Sequence, residues 1–266
     1  MNFIHIILLA FIQGLTEFFP VSSSGHLVIF QKIFGMHEPQ LFLDVMLHMG
    51  TVISLLIFLR LEIRDIFFSV LRHGFRFRSG WDDPHYRMLI YILTASIPTF
   101  LLGYFFSGFF ESLFTSPRSV GLALLGTAVF LFLTRFAARR KERFPAHPLL
   151  IGLFQGAAIV PGFSRSGFTI GSALLLGWEK ERAARFSFLL SIPAILGASL
   201  FQFLKVDTAS QSWLLILTGV VISAAAGYAA LLFLYKLVQR GRFHVFAYYC
   251  LAAALLILFF TRNAAP

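Results

Sequence analysis

The sequence contains a single cysteine, Cys250, in a chain of 266 residues. One thiol cannot form a disulfide within the chain, nor can it supply the several Cys ligands of a structural zinc site. The sequence therefore excludes a disulfide-stapled scaffold and a cysteine-based metal site.

Charged residues are also scarce, at 13% of the chain, and only 12 are Asp or Glu against 22 Lys and Arg. Hydrophobic residues make up 58% of the chain and the mean hydropathy is +0.81, which excludes an ordinary soluble domain and indicates a polytopic membrane protein. The positive charge does not indicate a nucleic-acid partner, because Lys and Arg cluster beside apolar runs. In that position they set the orientation of a chain in the membrane. The first ten residues lack a basic stretch, so no cleaved signal peptide is expected.

Two apolar segments are interrupted by Pro, Gly and hydroxyl residues. The run at 3–34 contains PVSSSGH at residues 20–26, and the run at 149–178 contains PGFSRSGFT at residues 161–169. Each uninterrupted half is shorter than the roughly 20 residues that a membrane span requires. Each segment is therefore expected to form two half-helices that meet at a broken tip, a re-entrant hairpin.

Six further apolar segments are long enough to span a bilayer. They lie near residues 41–59, 88–106, 118–135, 186–204, 213–235 and 243–261. Together with the hairpins, they predict an all-α polytopic membrane protein with six transmembrane helices and a single integral domain over residues 1–266.

The basic residues assign sides to the loops. Segments 60–87, 135–148, 178–185 and 236–242 contain six, five, three and three Lys or Arg. These four segments share one side only if both hairpins return to the side from which they enter. By the positive-inside rule that side is the cytoplasm, and both termini are expected outside.

The interrupted segments match each other at an offset of 142 residues. Gln13 corresponds to Gln155, and Ser22 to Ser164. Short, broken segments at corresponding positions predict an inverted-topology repeat with its site between the tips, one half at about 1–135 and the other at about 145–266.

Arg165 is the first candidate site residue. An arginine at bilayer depth costs roughly 3 kcal/mol, so it is expected to face a cavity and hold an anion, the alternative being a kinked helix whose Arg reaches the interface. A helix beginning at Gly167 and capped by Ser164 or Ser166 would point free N–H groups at the same anion. The candidate phosphate-binding residues are Ser22, Ser164, Arg165, Ser166, Gly167 and Thr169.

The first hairpin supplies a second set of candidates. Gln13 and Glu17 share one helix face, and Ser23 and His26 are neighbours if helical. A hydroxyl, an imidazole and a carboxylate opposite an arginine are the groups of nucleophilic phosphoryl transfer. Ser23 is the candidate nucleophile with His26 or Glu17 as base, and direct attack by His26 is the competing assignment. Asp44 and His48 are expected to form a local pair outside the site.

The motifs QxxxE at 13–17, PVSSSGH at 20–26 and PGFSRSGFT at 161–169 resemble those of the undecaprenyl-diphosphate phosphatase family, also known as bacitracin-resistance proteins. The similarity covers nearly the whole chain, including FSFLLSIP at 186–193. It implies six spans plus two re-entrant hairpins in the bacterial inner membrane. It also implies hydrolysis of undecaprenyl diphosphate to the monophosphate for peptidoglycan synthesis.

In that family, functional positions match Glu17, Ser23, His26, Ser164, Arg165 and Thr169. Gln13 departs from the glutamate of many members, which weakens Gln13 and Glu17 as ligands of a divalent cation. Mg²⁺ or Ca²⁺, bound either to the enzyme or only to the diphosphate, is nevertheless the candidate cofactor, and no organic cofactor is expected. The expected partners are a polyprenyl diphosphate and membrane lipids, with a homodimer as the candidate assembly and no nucleic acid.

Two other functions remain open at this point. Inverted repeats with broken helices are also typical of transporters, so a flippase for a polyprenyl phosphate or another anion is the main alternative. The other class of membrane lipid phosphatase is less well matched, because it requires a histidine a few residues after its Ser-Arg and none lies between Ser166 and Gly177.

Overall fold

The computed structural model describes residues 3–36, 40–74, 80–113, 116–138, 147–203 and 213–262. Within these ranges all the regular structure is helical. The helices are α1 (Phe3–Phe18), α2 (Ser23–Ile33), α3 (Leu41–Phe58), α4 (Arg60–His73), α5 (Pro84–Phe105), α6 (Ser107–Leu113), α7 (Pro117–Leu133), α8 (His147–Ala157), α9 (Arg165–Leu175), α10 (Lys180–Phe203), α11 (Trp213–Gln239) and α12 (Phe246–Thr261), with 3-10 turns at Thr134–Phe136 and Phe243–Val245.

The predicted spans correspond to long apolar helices. Helices α5, α7, α10, α11 and α12 are long and apolar enough to cross a membrane, and α3 with α4 forms a bent pair that raises the number to six. The chain is thus an all-α, multi-pass membrane protein. Residues 60–73, expected in a loop, instead form α4, which is bent by 74° from α3. Its exposed Phe67, Phe68 and Leu71 are typical of a helix that lies along the membrane surface.

Small and hydroxyl residues fill the interior, whereas large apolar side chains lie outside. Ser54, Thr127 and Ser223 are fully buried, while Phe105 is 71% exposed and Leu214 is 77% exposed. This distribution suits a bilayer, because lipid tails solvate large apolar side chains and helix contacts favour small residues.

Both predicted hairpins are broken helix pairs. α1 packs against α2, and α8 packs against α9. The second break ends earlier than predicted, because Ser164 caps a helix that begins at Arg165 and not at Gly167. The expected start is therefore wrong by two residues. Because the Ser164 side chain is the cap, Arg165 occupies the first helical position.

The packing of the hairpins is exchanged between the two halves of the chain. α1 lies against α11, and α8 lies against α5. Close approach depends on glycine in both contacts, since a Cβ at Gly14 would clash with the backbone of α11 and one at Gly152 with that of α5. The inverted orientation of the halves and their bounds remain predictions, and residues 139–146 between them lie outside the described part of the chain.

Candidate active site

The tip of the first hairpin is organised by Ser22. Its φ of 67° makes it the one non-glycine residue with a positive φ in the described chain. The Ser22 hydroxyl accepts the N–H of Gly25 at 3.3 Å and so caps α2. It also accepts the N–H of Gly162 from the second hairpin at 3.0 Å. The strained backbone of Ser22 thus places one hydroxyl where it joins the two tips.

The tip of the second hairpin is held from two directions. The Ser164 hydroxyl caps α9 by accepting the N–H of Gly167 at 3.1 Å. Thr127 of α7 donates its hydroxyl to the carbonyl of Gly162 at 3.0 Å and accepts the N–H of Ser164 at 3.2 Å. The backbone before Arg165 is therefore fixed by contacts on both sides of the break.

Glu17 is the centre of the polar contacts between the tips. Its carboxylate pairs with the guanidinium of Arg165. Its Oε2 atom accepts the Ser23 hydroxyl at 2.5 Å and the Gln13 amide at 2.9 Å. The Glu17 side chain is only 4% exposed, so these contacts are shielded from bulk solvent. Arg165 also donates to the carbonyl of Ser191 in α10 at 3.3 Å. Residues from both broken segments thus converge on one carboxylate, and a span holds the arginine.

His26 lies beside this cluster but has other partners. Its Nδ1 is 2.8 Å from the carbonyl oxygen of Ser22, and its Nε2 is 2.7 Å from the hydroxyl of Tyr249 in α12. Because a carbonyl can only accept, Nδ1 carries the hydrogen. Of the two bases predicted for Ser23, Glu17 is the one that contacts it. Tyr249 lies in an apolar span with no motif around it, so the sequence carried no signal for this contact.

Several predicted phosphate-binding groups are already hydrogen-bonded within the protein. The N–H groups of Ser164 and Gly167 have protein acceptors. The Ser22 hydroxyl already accepts the two N–H groups described above. Thr169 donates to the carbonyl of Arg165 at 2.9 Å and contacts the hydroxyl of Ser187. The expectation that the N–H groups at the start of this helix are free for an anion therefore fails for Ser164 and Gly167.

Fewer groups at the start of α9 remain available to a phosphate than the sequence predicts. The N–H groups of Arg165 and Ser166 occupy the first two helical positions, for which a helix supplies no acceptor. The Ser166 hydroxyl lies 3.3 Å from that of Ser164. A phosphate at this end of α9 would thus meet the Arg165 side chain and two N–H groups.

His48 of α3 belongs to the site. Its Nε2 lies 3.5 Å from Oε2 of Glu17, and its Nδ1 lies 2.6 Å from the carbonyl oxygen of Asp44. The Asp44 carboxylate itself accepts the amide of Gln31 at 2.8 Å. The expectation that Asp44 and His48 form a local pair outside the site is wrong for His48. A histidine within an apolar span is a signal that could have found it.

Gln13 and Glu17 do not fit a resident Mg²⁺ or Ca²⁺. Ca²⁺ takes six to eight oxygen ligands, and Mg²⁺ is held by one or two carboxylates together with waters and substrate phosphates. Here the single carboxylate is already neutralised by Arg165, and the Gln13 group that faces it is the N–H₂ donor. In the described residues no group of three or more His, Cys, Asp or Glu could hold a metal ion.

The chain is similar to proteins of known classification. A family model described as bacitracin resistance protein BacA matches residues 6–256. A protein of Halothermothrix orenii named undecaprenyl-diphosphatase is 41% identical over 97% of this chain and 98% of its own length. Proteins with the same name in Desulfosudis oleivorans and Korarchaeum cryptofilum are 44% and 35% identical, over 92% and 97% of this chain and 93% and 99% of their own lengths.

Proposed function

The chain belongs to the family of bacitracin resistance protein BacA, and we propose that it hydrolyses undecaprenyl diphosphate to undecaprenyl phosphate and inorganic phosphate. The reaction returns the lipid carrier to peptidoglycan synthesis and confers resistance to bacitracin. The names of the relatives are those of a phosphatase, which does not favour the transporter alternative.

One observation carries the proposal. The Ser23 hydroxyl donates to the carboxylate of Glu17, and Arg165 of the other hairpin contacts the same carboxylate. A nucleophile, a base and a cationic phosphate ligand therefore lie within one shielded cluster, as phosphoryl transfer requires.

In the first step Ser23 attacks the terminal phosphorus. Its proton passes to Glu17 as the bond between Oγ and phosphorus forms. The bond from this phosphorus to the bridging oxygen breaks, and undecaprenyl phosphate leaves with the electron pair. A phosphate monoester has a second pKa of about 6, so the leaving group requires little acid assistance.

In the second step water hydrolyses the phosphoserine. Glu17 has by then released the Ser23 proton and is again a carboxylate. It takes a proton from water as the water oxygen attacks phosphorus. The bond between phosphorus and Oγ breaks, and the proton returns from Glu17 to Ser23. Inorganic phosphate is released and the serine is restored.

Arg165 holds the phosphoryl group through both steps. A guanidinium has five N–H donors, and the contacts with Glu17 and Ser191 leave others for phosphate oxygens. Charge stabilisation of this kind is strong in a water-poor site. The free N–H groups of Arg165 and Ser166 add to it at the start of α9.

Ser23, not His26, is the nucleophile in this proposal. His26 carries a hydrogen on Nδ1, and its other nitrogen faces Tyr249. Attack by His26 would require the Tyr249 contact to break first, whereas the Ser23 hydroxyl already lies 2.5 Å from its base.

An apolar groove suits the polyprenyl tail. It has a volume of about 430 Å³ and is lined along α7 by residues that include Leu122, Gly126 and Val129, with Phe163 and Phe168 as its other wall. The groove lies near the tips, since Val120, two residues before Leu122 on α7, lies against both Gly25 and Gly162. Phe163 and Phe168 also flank Arg165 in the chain, which supports a tail that lies beside the diphosphate.

We assign the protein to the bacterial inner membrane with both termini outside. The four basic segments support this orientation by the positive-inside rule, although Arg76, Arg78, Arg139, Arg140, Lys141 and Arg143 lie outside the described residues. The homodimer stays a prediction.

The test is phosphate release from undecaprenyl diphosphate by purified protein in detergent. We expect turnover by the wild type and its loss in Ser23→Ala and Arg165→Ala. The matched control is Ser24→Ala, which removes the neighbouring hydroxyl and should retain most activity. No release by well-folded wild type would overturn the phosphatase, and full activity of Ser23→Ala would overturn the serine mechanism.

A further inference from the structure

We infer that His48 is a positioning residue that receives the proton which Glu17 takes from Ser23, and that it keeps Glu17 a carboxylate for the second step. The inference rests on the proposed phosphatase function. It is carried by the contact between Nε2 of His48 and Oε2 of Glu17, the same oxygen that accepts the Ser23 hydroxyl.

The hydrogen bond to Asp44 sets the tautomer of His48. Its Nδ1 lies 2.6 Å from the backbone carbonyl of Asp44, which can only accept, so Nδ1 carries the hydrogen. In the neutral ring Nε2 then presents a lone pair toward Glu17. Nε2 lies 3.5 Å from the carboxylate. A hydrogen bond between them can form only once Glu17 is protonated and donates, because neither atom carries a hydrogen before then.

The first step of the reaction protonates Glu17. When Glu17 takes the Ser23 proton it becomes a donor, and His48 is placed to accept. Without this transfer Glu17 would be neutral, Arg165 would lose its buried counter-charge, and no base would remain for water. Cleavage of the diphosphate adds one negative charge, on the departing lipid monophosphate, at the same moment, which favours an imidazolium nearby.

The ionisable groups around His48 come from several helices. Glu17 faces it from α1, Arg165 of α9 lies beyond Glu17, and Asp44 lies on its own helix with its carboxylate bound to Gln31 of α2. α11 brings the Ser223 hydroxyl to the carbonyl of Leu47.

Three aromatic residues of α10 and α11 pack around Phe58 and are more distant from His48. These are Phe188, Tyr228 and Tyr235. Phe58 is ten residues further along α3, roughly 15 Å at the helical rise. Glu17 is therefore the proton donor that His48 faces.

The proton balance closes over one cycle. Ser23 gives a proton to Glu17 and Glu17 gives it to Nε2 of His48, while phosphorus bonds to Oγ and the lipid monophosphate departs. In the second step water gives a proton to Glu17, which returns it to Ser23 as phosphate leaves. His48, 25% exposed, then releases its proton to water, so each turnover yields one proton.

The decisive variant is His48→Gln, because an amide can accept a hydrogen bond but cannot hold a proton. We expect steady-state phosphate release to fall about tenfold, less than the ~10²-fold or more for a group that contacts the reacting atoms. In rapid-quench experiments the variant should release undecaprenyl phosphate in a burst of about one equivalent and accumulate acid-stable phosphoserine. The wild type should accumulate much less.

The phosphoserine signal is a readout that a purely structural role would not move. A variant that is merely destabilised would lose the burst and the steady-state rate together, whereas loss of the proton acceptor slows the second step alone. His5→Gln is the matched control, because His5 stacks on Phe34 at 4.5 Å, away from Glu17.

The outcomes separate this inference from the proposed function. An active wild type with no accumulation of phosphoserine in His48→Gln would overturn the role of His48 and leave the phosphatase intact. A lowered thermal midpoint as the sole change would also overturn it. Absence of phosphate release by the wild type would instead overturn the function on which it rests.

Discussion

The Ser22 hydroxyl accepts the N–H of Gly162 at 3.0 Å and thereby joins the tips of two hairpins that are 140 residues apart in the chain. The next residue, Ser23, carries the proposed nucleophile, and Arg165 follows Gly162 by three positions. This buried hydrogen bond is therefore one of the contacts that set the separation between the nucleophile and the arginine.

Replacing Ser22 by Ala should destabilise the protein more than a surface change would. The substitution leaves the N–H groups of Gly25 and Gly162 without their acceptor, and loss of a cap and a buried hydrogen bond costs about 2 kcal/mol. We expect a lower thermal midpoint in detergent together with a lower kcat, and little change in Ser24→Ala. A raised KM at an unchanged midpoint would instead indicate that Ser22 binds phosphate directly.

Glu17→Gln should abolish most turnover. The amide cannot take the Ser23 proton, and general-base catalysis contributes ~10²–10⁴-fold. It also leaves Arg165 without its counter-charge in a buried setting, which destabilises by roughly 3 kcal/mol or more. Phosphate release and thermal unfolding would measure the two effects separately.

The matched control is Glu62→Gln. Glu62 also pairs with an arginine, Arg185, but that pair is partly exposed and joins α4 to α10. Surface pairs of this type contribute about 1 kcal/mol or less. Equal loss of activity in both variants would show that breaking any Glu–Arg pair inactivates the protein, and the assignment of Glu17 as base would fail.

Local signals in the sequence predicted the membrane class, six spans and two broken segments. Run length identifies spans, and proline with glycine identifies breaks, because both act within a few residues. The same signals predicted that Glu17, Ser23 and Arg165 would meet. The amphipathic α4 was missed because its apolar residues are too few to register as a span.

The partners of these residues could not be predicted in the same way. The helix that Ser164 caps begins at Arg165 and not at Gly167. The backbone of Ser164 is held there by Thr127, which belongs to a different helix. The contact of His26 with Tyr249 joins residues 223 positions apart, and no spacing rule connects them. His48 was set aside because a nearby carboxylate, Asp44, offered a simpler partner.

Substrate-free protein should not bind Mg²⁺ or Ca²⁺ through Gln13 and Glu17. Gln13 presents its amide N–H₂ to the carboxylate, and Arg165 neutralises the remaining charge. Calorimetry and thermal shifts with either ion should show no effect that depends on Glu17, since a ligand that binds only the folded state raises the midpoint.

Gln13→Glu provides the positive arm of that experiment. It places a second carboxylate four residues from Glu17 on the same helix face, and two adjacent carboxylates favour a hard divalent cation. We expect a Ca²⁺-dependent rise in the midpoint of this variant. A rise in the wild type that disappears in Glu17→Gln would contradict the prediction and restore Gln13 and Glu17 as a metal site.

Narrowing the groove along α7 should impair recognition of the lipid tail without affecting the chemistry. A Cβ at Gly126 would lie 2.8 Å from the ring of Phe163, so Gly126→Val must displace that ring into the groove. Losing a few methylene contacts, at ~0.8 kcal/mol for each buried CH₂, should raise KM for undecaprenyl diphosphate about tenfold. KM for a diphosphate with a short prenyl chain should change little, because such a chain leaves most of the groove empty.

Gly197→Val is the control, since a Cβ there meets nothing within 4 Å. Equal loss for both substrates would place the effect at the tips and the tail elsewhere.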